Sequence, residues 1–163
     1  LPAPPGRVVP PAPGGQPVIG VLGNIGQQKG AGVVAALSAR LAASREAGLV
    51  LIGNIDPAYA LSPGTVTHGT YRPEDIADLA QRYRIAAWLI PSVWPETFSF
   101  TTHEALATGL PVWCFDLGAQ AEAVRHALAG GAPGGVLPLP PETDPLVALD
   151  PLLTALNRST EPA

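Results

Sequence analysis

Pro91-Ser-Val-Trp-Pro-Glu-Thr-Phe-Ser-Phe-Thr-Thr-His-Glu-Ala-Leu-Ala-Thr-Gly-Leu-Pro-Val112 is the stretch whose reading decides the fold. It follows an apolar run of strand length, Ala87-Trp-Leu-Ile90, and leads into another, Pro111-Val-Trp-Cys-Phe115. Between them Trp94 to Phe98 reads as a loop, and Ser99 to Thr108 as a helix that stops at Gly109. Strand, loop, helix and strand within about thirty residues make a βαβ crossover.

The alternation extends outward from this unit. Val18-Ile-Gly-Val-Leu22, Leu49-Val-Leu-Ile52 and Thr65-Val-Thr-His68 read as strands before it, and Gly135-Val-Leu-Pro-Leu139 as a strand after it. Val33, Val34, Leu37 and Leu41 recur at helical spacing up to Ser44. Pro73 to Tyr83 has a proline and acids in its first turn, a helix start. Gln120 to Ala129 and Leu146 to Leu156 complete the helices. Continuous apolar strands alternating with helices require a parallel sheet covered on both faces. The expected fold is α/β, a three-layer Rossmann-like domain with a parallel sheet of about six strands. Ligands of such folds bind beyond the C-terminal strand ends, near the reversal of strand order. The loops after strands one, three and four are therefore the candidate site. No internal repeat is apparent.

Composition sets the outer limits. The chain has 163 residues, 47% of them apolar, enough for one domain with a real core. A net charge of −4 without a Lys/Arg run argues against nucleic acid or an anionic membrane surface as partner. Cys114 is the single cysteine, which excludes an internal disulfide and reads as a buried thiol. No apolar run approaches the roughly twenty residues of a membrane span and no signal-peptide pattern opens the chain, so a cytoplasmic location is expected. Residues 1–17 are rich in Pro and Gly and read as an interdomain linker, 18–157 as the domain, and 158–163 as a tail. The chain starts at Leu1 and has no methionine, so a fragment or processed chain is expected.

The central stretch also carries the chemistry. Glu96 and Glu104 flank Thr97-Phe98-Ser99, where a strand-end loop turns into a helix. Such a turn offers unpaired backbone N–H groups and the positive end of a helix dipole, which favour an anion. Carboxylates on either side can each accept from vicinal hydroxyls. A phosphate-bearing, hydroxyl-rich ligand fits, and a nucleotide sugar is one. Either glutamate could equally be a solvated surface acid.

The loop after strand one holds Gly23, Asn24, Gly26, Lys29 and Gly30. Its spacing is neither a P-loop nor GxGxxG. Its glycines serve either a tight turn or a backbone approach to a diphosphate. Lys29, at a helix start where a cation is unfavourable, suggests an anion held beside it. Tyr71 and Arg72 follow strand three, either as loop surface or against a base or phosphate. Trp94 either walls the pocket or packs. Glu122 reads as a first-turn acid. His68, His103 and His126 share no metal-ligand spacing with Cys114 or an acid, so no metal is expected.

These residues together resemble a known family. Gly23-x5-Lys29-Gly30, Gly69-Thr-Tyr71, Pro91-Ser-x-Trp-Pro-Glu96-Thr-Phe-Ser-x-Thr-x-x-Glu104-Ala-Leu-Ala-x-Gly-Leu-Pro-Val112 and Asp116-x-Gly118-Ala-x-x-Glu122 are similar to the C-terminal, donor-binding half of retaining glycosyltransferases of family 4, which have the two-lobed GT-B fold. The resemblance spans Val18 to Leu156. It implies that Glu96 faces the donor sugar's hydroxyls and Glu104 holds the ribose. Amides of Phe98 and Ser99 would meet the diphosphate, Lys29 would neutralise it as it departs, and Tyr71 would lie where the base-contacting loop begins. Glu96 and Lys29 are the implied catalytic residues, and Gly23, Asn24, Tyr71, Arg72, Thr97, Phe98, Ser99 and Glu104 complete the implied donor site. The substrate would be a UDP- or GDP-sugar, with no cofactor. The implied activity is hexose transfer to a glycan or glycoconjugate in bacterial polysaccharide biosynthesis, catalytic only with the N-terminal acceptor-binding lobe, at the inner face of the membrane if the whole enzyme binds it peripherally. Two departures stand out: Asn24 replaces an arginine, and Ser99 a glycine. Arg72 is a candidate to compensate for the first.

Two alternatives remain on sequence grounds. A GT-B sugar-nucleotide epimerase usually needs catalytic acids and histidines in both lobes, and the Trp94-Pro-Glu-Thr-Phe98 context argues against it. A non-catalytic nucleotide-binding module is favoured by Asn24.

Overall fold

The computed structural model describes residues 6–160, apart from the side chains of residues 159 and 160. Six strands form one parallel sheet in the order β3-β2-β1-β4-β5-β6. They are β1 (Val18–Ile25), β2 (Gly48–Ile55), β3 (Val66–Thr67), β4 (Ile85–Ile90), β5 (Val112–Phe115) and β6 (Gly134–Leu137). The helices are α1 (Ala31–Ser44), α2 (Ile76–Arg82, entered through a 3₁₀ turn at Pro73–Asp75), α3 (Phe100–Ala107), α4 (Gly118–Ala129), α5 (Pro145–Ala148) and α6 (Asp150–Thr160). This is the expected α/β Rossmann-like architecture.

The strands are apolar throughout because both faces of the sheet are buried. Ile19, Val21, Leu49, Leu51, Ala87 and Leu89 face a core shared with α1 and α6. Their alternate neighbours Leu22, Val50, Ile52, Trp88 and Ile90 face a second core shared with α2, α3 and α4. The period of two sends successive side chains to opposite layers. Strand order reverses between β1 and β4, which pair only at their starts, Val18 with Ile85 through Gly20 with Trp88. Beyond Gly20 the two strands separate, and the crevice between their C-terminal ends is the switch point. Gly30 lets the start of α1 close onto the end of β4. It has φ +96°, and a Cβ there would collide with the carbonyl of Pro91.

Several elements differ from the sequence reading. β1 runs to Ile25, so Gly23 and Asn24 are strand residues in register with Gly53 and Asn54. The Gly-Asn-Ile triplet at 23–25 therefore repeats at 53–55, a short internal repeat that escaped the reading. The last helix is two, α5 and α6, because Asp150-Pro151 starts a fresh first turn where proline needs no N–H partner. Glu122 lies beyond the first turn, since α4 begins at Gly118. Residues 6–17 contain no helix or strand, but Val8 is buried and its N–H donates to the Thr108 carbonyl at 2.9 Å. α6 continues to Thr160, so residues 158–160 of the expected tail are helical. Residues 1–5 of the expected linker and 161–163 of the tail lie outside the described residues. No helix among the described residues is long and apolar enough to cross a membrane.

Candidate functional site

The loop after β4 and the first turns of α3 form one wall of the crevice. Ser99 caps α3: its backbone is extended and its Oγ accepts from the Thr102 N–H at 3.3 Å. Ser99 Oγ also shares a 2.7 Å hydrogen bond with Thr102 Oγ1, and both residues are buried. The N–H groups of Phe100 and Thr101 precede any intrahelical acceptor and remain open at the positive end of the helix. Thr101 faces the end of β1, where a Cβ on Gly23 would sit 3.1 Å from its methyl group. Glu104, one turn on, shares that helix face.

The two glutamates are in opposite states. Glu96 is largely buried and fully partnered. Lys29 Nζ lies 3.2 Å from its Oε1, and the Ser92 hydroxyl donates to its Oε2 at 3.4 Å. Lys29 itself is half exposed. Its position at the head of α1 suggested a nearby anion, and the anion beside it is Glu96. Glu104 has a buried oxygen, Oε2, without any hydrogen-bond partner. Burial pushes its carboxyl above the ordinary glutamate pKa. Tyr71, half-buried against the second core, is pushed up to about 12 by burial and then by the charge of Glu104. At neutral pH it remains an O–H donor.

The structure brings Lys29 and Glu96 together, Gly23 against Thr101, and Tyr71 within electrostatic reach of Glu104. Arg72 is not joined to them. Its guanidinium bonds Asp75 at 3.2 and 3.3 Å and lies 3.6 Å from Glu74, at the entrance to α2. Asn24 is exposed at the end of β1 and accepts from Asn54 Nδ2 at 3.5 Å. Thr97, Phe98 and Trp94 are exposed. Phe98 packs edge-on against Phe100 (4.8 Å between centroids) and stacks on His103 (5.0 Å), giving the crevice an aromatic rim. Trp94 offers its carbonyl to Gln120 Nε2 at 2.9 Å.

Sequence reasoning missed Gln120 and Asn54. Gln120 is wholly buried, with both amide atoms bonded to the Glu96 loop. A polar residue among the buried positions of α4 was the available signal. For Asn54 the signal was the Gly-Asn-Ile repeat. His68 does not join the site; its Nδ1 lies 2.7 Å from the Tyr83 hydroxyl. Cys114 is buried and its thiol is pushed up to about 12 by that burial, so it is inert at neutral pH. Among the described residues, no group of three or more His, Cys, Asp or Glu side chains is arranged to hold a metal ion. A hollow lies at the opposite end of the sheet, between residues 11–14, Gln16, Pro17, Arg84, Trp113 and Leu156. It contains none of the chemistry above, which lies at the C-terminal strand ends.

Comparison with known proteins gives a consistent frame. A family model described as glycosyl transferases group 1 matches residues 16–147. Among curated proteins, none matches. The catalytic domain of starch synthase IV from Arabidopsis thaliana, bound to ADP and acarbose, superposes with a TM-score of 0.59 at 15% identity, over 88% of this chain and 32% of that one. Anabaena Alr3699/HepE in complex with UDP gives 0.65 at 19% identity, over 90% of this chain and 40% of that one. The C-terminal domain of a glycosyl transferase group 1 family protein (LpcC) from Francisella tularensis gives 0.57 at 19% identity, over 91% and 82%. The chain thus spans a third to two-fifths of the first two proteins and most of the third. At these identities the likeness is one of fold.

Proposed function

This chain belongs to the glycosyl transferases group 1 family, and we propose that its crevice beyond β1 and β4 is the donor site of a retaining, family 4 type GT-B hexosyltransferase. The observation that carries this reading is the contrast between the glutamates. Glu96 is paired with a lysine, whereas a buried oxygen of Glu104 has no partner at all. A buried carboxylate oxygen without a donor is unfavourable by roughly 1–3 kcal/mol or more, so the site is incomplete until something supplies hydroxyls.

In this reading Glu104 accepts from the ribose diol, with Tyr71 nearby at the base end. The amides around Phe98 and Ser99 and the head of α3 take the diphosphate. Lys29 leaves Glu96 for the phosphate, and Glu96 then accepts from the sugar hydroxyls. When the sugar's anomeric bond breaks, negative charge grows on the departing diphosphate. Lys29 and the helix N-terminus lie where that charge develops, and stabilising it is the chain's main catalytic contribution. No metal or cofactor is invoked. The donor is a UDP- or GDP-sugar; UDP in the HepE structure supports the first. The chain's extent relative to the LpcC C-terminal domain supports a donor half that works with an acceptor-binding lobe. Polysaccharide or glycoconjugate assembly on the cytoplasmic side, with peripheral membrane association of the whole enzyme, belongs to the same proposal.

Titration calorimetry of the chain with UDP, GDP, UDP-glucose and GDP-mannose tests it. Binding of one nucleotide pair is expected, weakened about tenfold by Lys29→Ala through loss of a charge-assisted hydrogen bond. If none of the four binds, the site is misassigned.

A further inference from the structure

The loop that carries Glu96 is gripped by α4, and the grip is centred on one buried side chain. Gln120 is 0% exposed. Its Oε1 accepts from the Glu96 N–H at 3.1 Å, and its Nε2 donates to the Trp94 carbonyl at 2.9 Å. The Glu96 carbonyl accepts from the Ala119 N–H at 2.8 Å. Pro95, between the two bonded residues, has no N–H to satisfy and a fixed φ. Contact is as close as the backbone permits. Gly118 has φ +56°, and a Cβ there would lie 2.5 Å from Glu96 N and 2.6 Å from Pro95 Cα. Both main-chain polar groups of Glu96 and the carbonyl of Trp94 are therefore fixed by Gly118-Ala119-Gln120. Only the side-chain torsions of Glu96 remain free.

We propose that Gln120 is the positioning residue for Glu96, and that it sets how much of the donor affinity comes from the sugar. The inference rests on the proposed donor site. An amide suits the task because it donates and accepts through one planar group, so a single side chain fixes the peptide before Pro95 and the peptide after it. Neither an apolar residue nor a carboxylate of the same size reproduces both bonds. Glu104 and the head of α3 make no bond to Gln120, and Lys29, 3.2 Å from Glu96, leaves it for the phosphate in the proposed donor complex. Displacing Glu96 by a fraction of an ångström weakens its bonds to sugar hydroxyls and leaves the nucleotide bonds intact.

The test is the ratio of UDP to UDP-glucose dissociation constants, with GDP and GDP-mannose as the second pair, measured by calorimetry on the intact chain. Gln120→Met keeps the volume and removes both bonds. Gln120→Glu keeps the acceptor for the Glu96 N–H and loses the donor, and it decides the matter where Gln120→Met does not fold. The expected result is a roughly tenfold loss of the sugar's share of the affinity, with nucleotide affinity within about twofold of wild type. A purely structural role would lower both affinities by one factor, and that outcome overturns the proposal. So does an unchanged ratio in a folded variant, or a wild-type chain that binds UDP and UDP-glucose equally. A wild-type chain that binds neither pair removes the donor-site reading itself, and the inference with it.

Discussion

The two ends of α3 are built to opposite specifications. At the C-terminal end Thr108 is bonded through both its side chain and its carbonyl. Thr108 Oγ1 donates to the Ala105 carbonyl at 2.6 Å and accepts from Trp88 Nε1 at 2.9 Å and from the Leu110 N–H at 3.3 Å. The Thr108 carbonyl takes the N–H of Val8. At the N-terminal end the cap is satisfied through Ser99, yet the next N–H groups are open and Glu104 Oε2 is buried without a donor. One end fastens the helix to β4 and the N-terminal segment. The other leaves these groups without a partner within the protein. A fold can place both on one eight-residue helix because the β4–β5 crossover starts α3 beside the C-terminal end of β4 and leads it back along that strand toward the start of β5.

Breaking each end separately should separate binding from stability. Glu104→Ala is expected to weaken UDP and UDP-glucose alike, by about a hundredfold or more, through loss of two charge-assisted hydrogen bonds to the diol. Its melting temperature should not fall. A variant that binds as the wild type does would return Glu104 to the status of an unexplained buried acid.

Thr108→Val should do the reverse. It leaves the Trp88 indole N–H buried without an acceptor, which destabilises by about 1–3 kcal/mol, or roughly 5 °C in melting temperature. Nucleotide affinity in the folded variant should stay within twofold. A loss of affinity without a loss of stability would mean that the two ends are coupled through the helix.

The smallest effect sharpens the contrast through pH. Because burial raises the Glu104 pKa, the folded state favours its protonated form. The stability it contributes is present below the unfolded glutamate pKa, about 4.3, and is lost as pH rises through the folded value. Glu104→Gln removes that loss. It should raise the melting temperature by about 2 °C at pH 7, and the gain should vanish near pH 4. A gain independent of pH would show that ionisation is not its source.

Much of this was legible in the chain itself. The alternation of apolar runs with helical spacing gave the α/β fold, since a strand buried on both faces must be apolar throughout. Ser99 and Gly109 marked the ends of α3 through the backbone demands of a cap and a left-handed stop. Pairing of Lys29 with Glu96 was only half legible. The lysine's position implied an anion, but residues sixty-seven apart in sequence meet only because β1 and β4 are neighbours. Arg72 was read either as loop surface or against a base or phosphate, and its bonds to Asp75 and Glu74 hold it at the head of α2.

What the sequence determined alone was periodicity and local backbone stops, because these depend on each residue and its near neighbours. Tertiary structure alone decided which polar groups are satisfied. Gln120 and Glu104 are both polar residues on helices at this edge, and no local rule tells them apart. Packing closes three hydrogen bonds between the start of α4 and the Trp94–Glu96 loop and leaves one oxygen of Glu104 with none. Burial and partnership are properties of the assembled layers, and they decide which side chain is bonded within the protein and which is not.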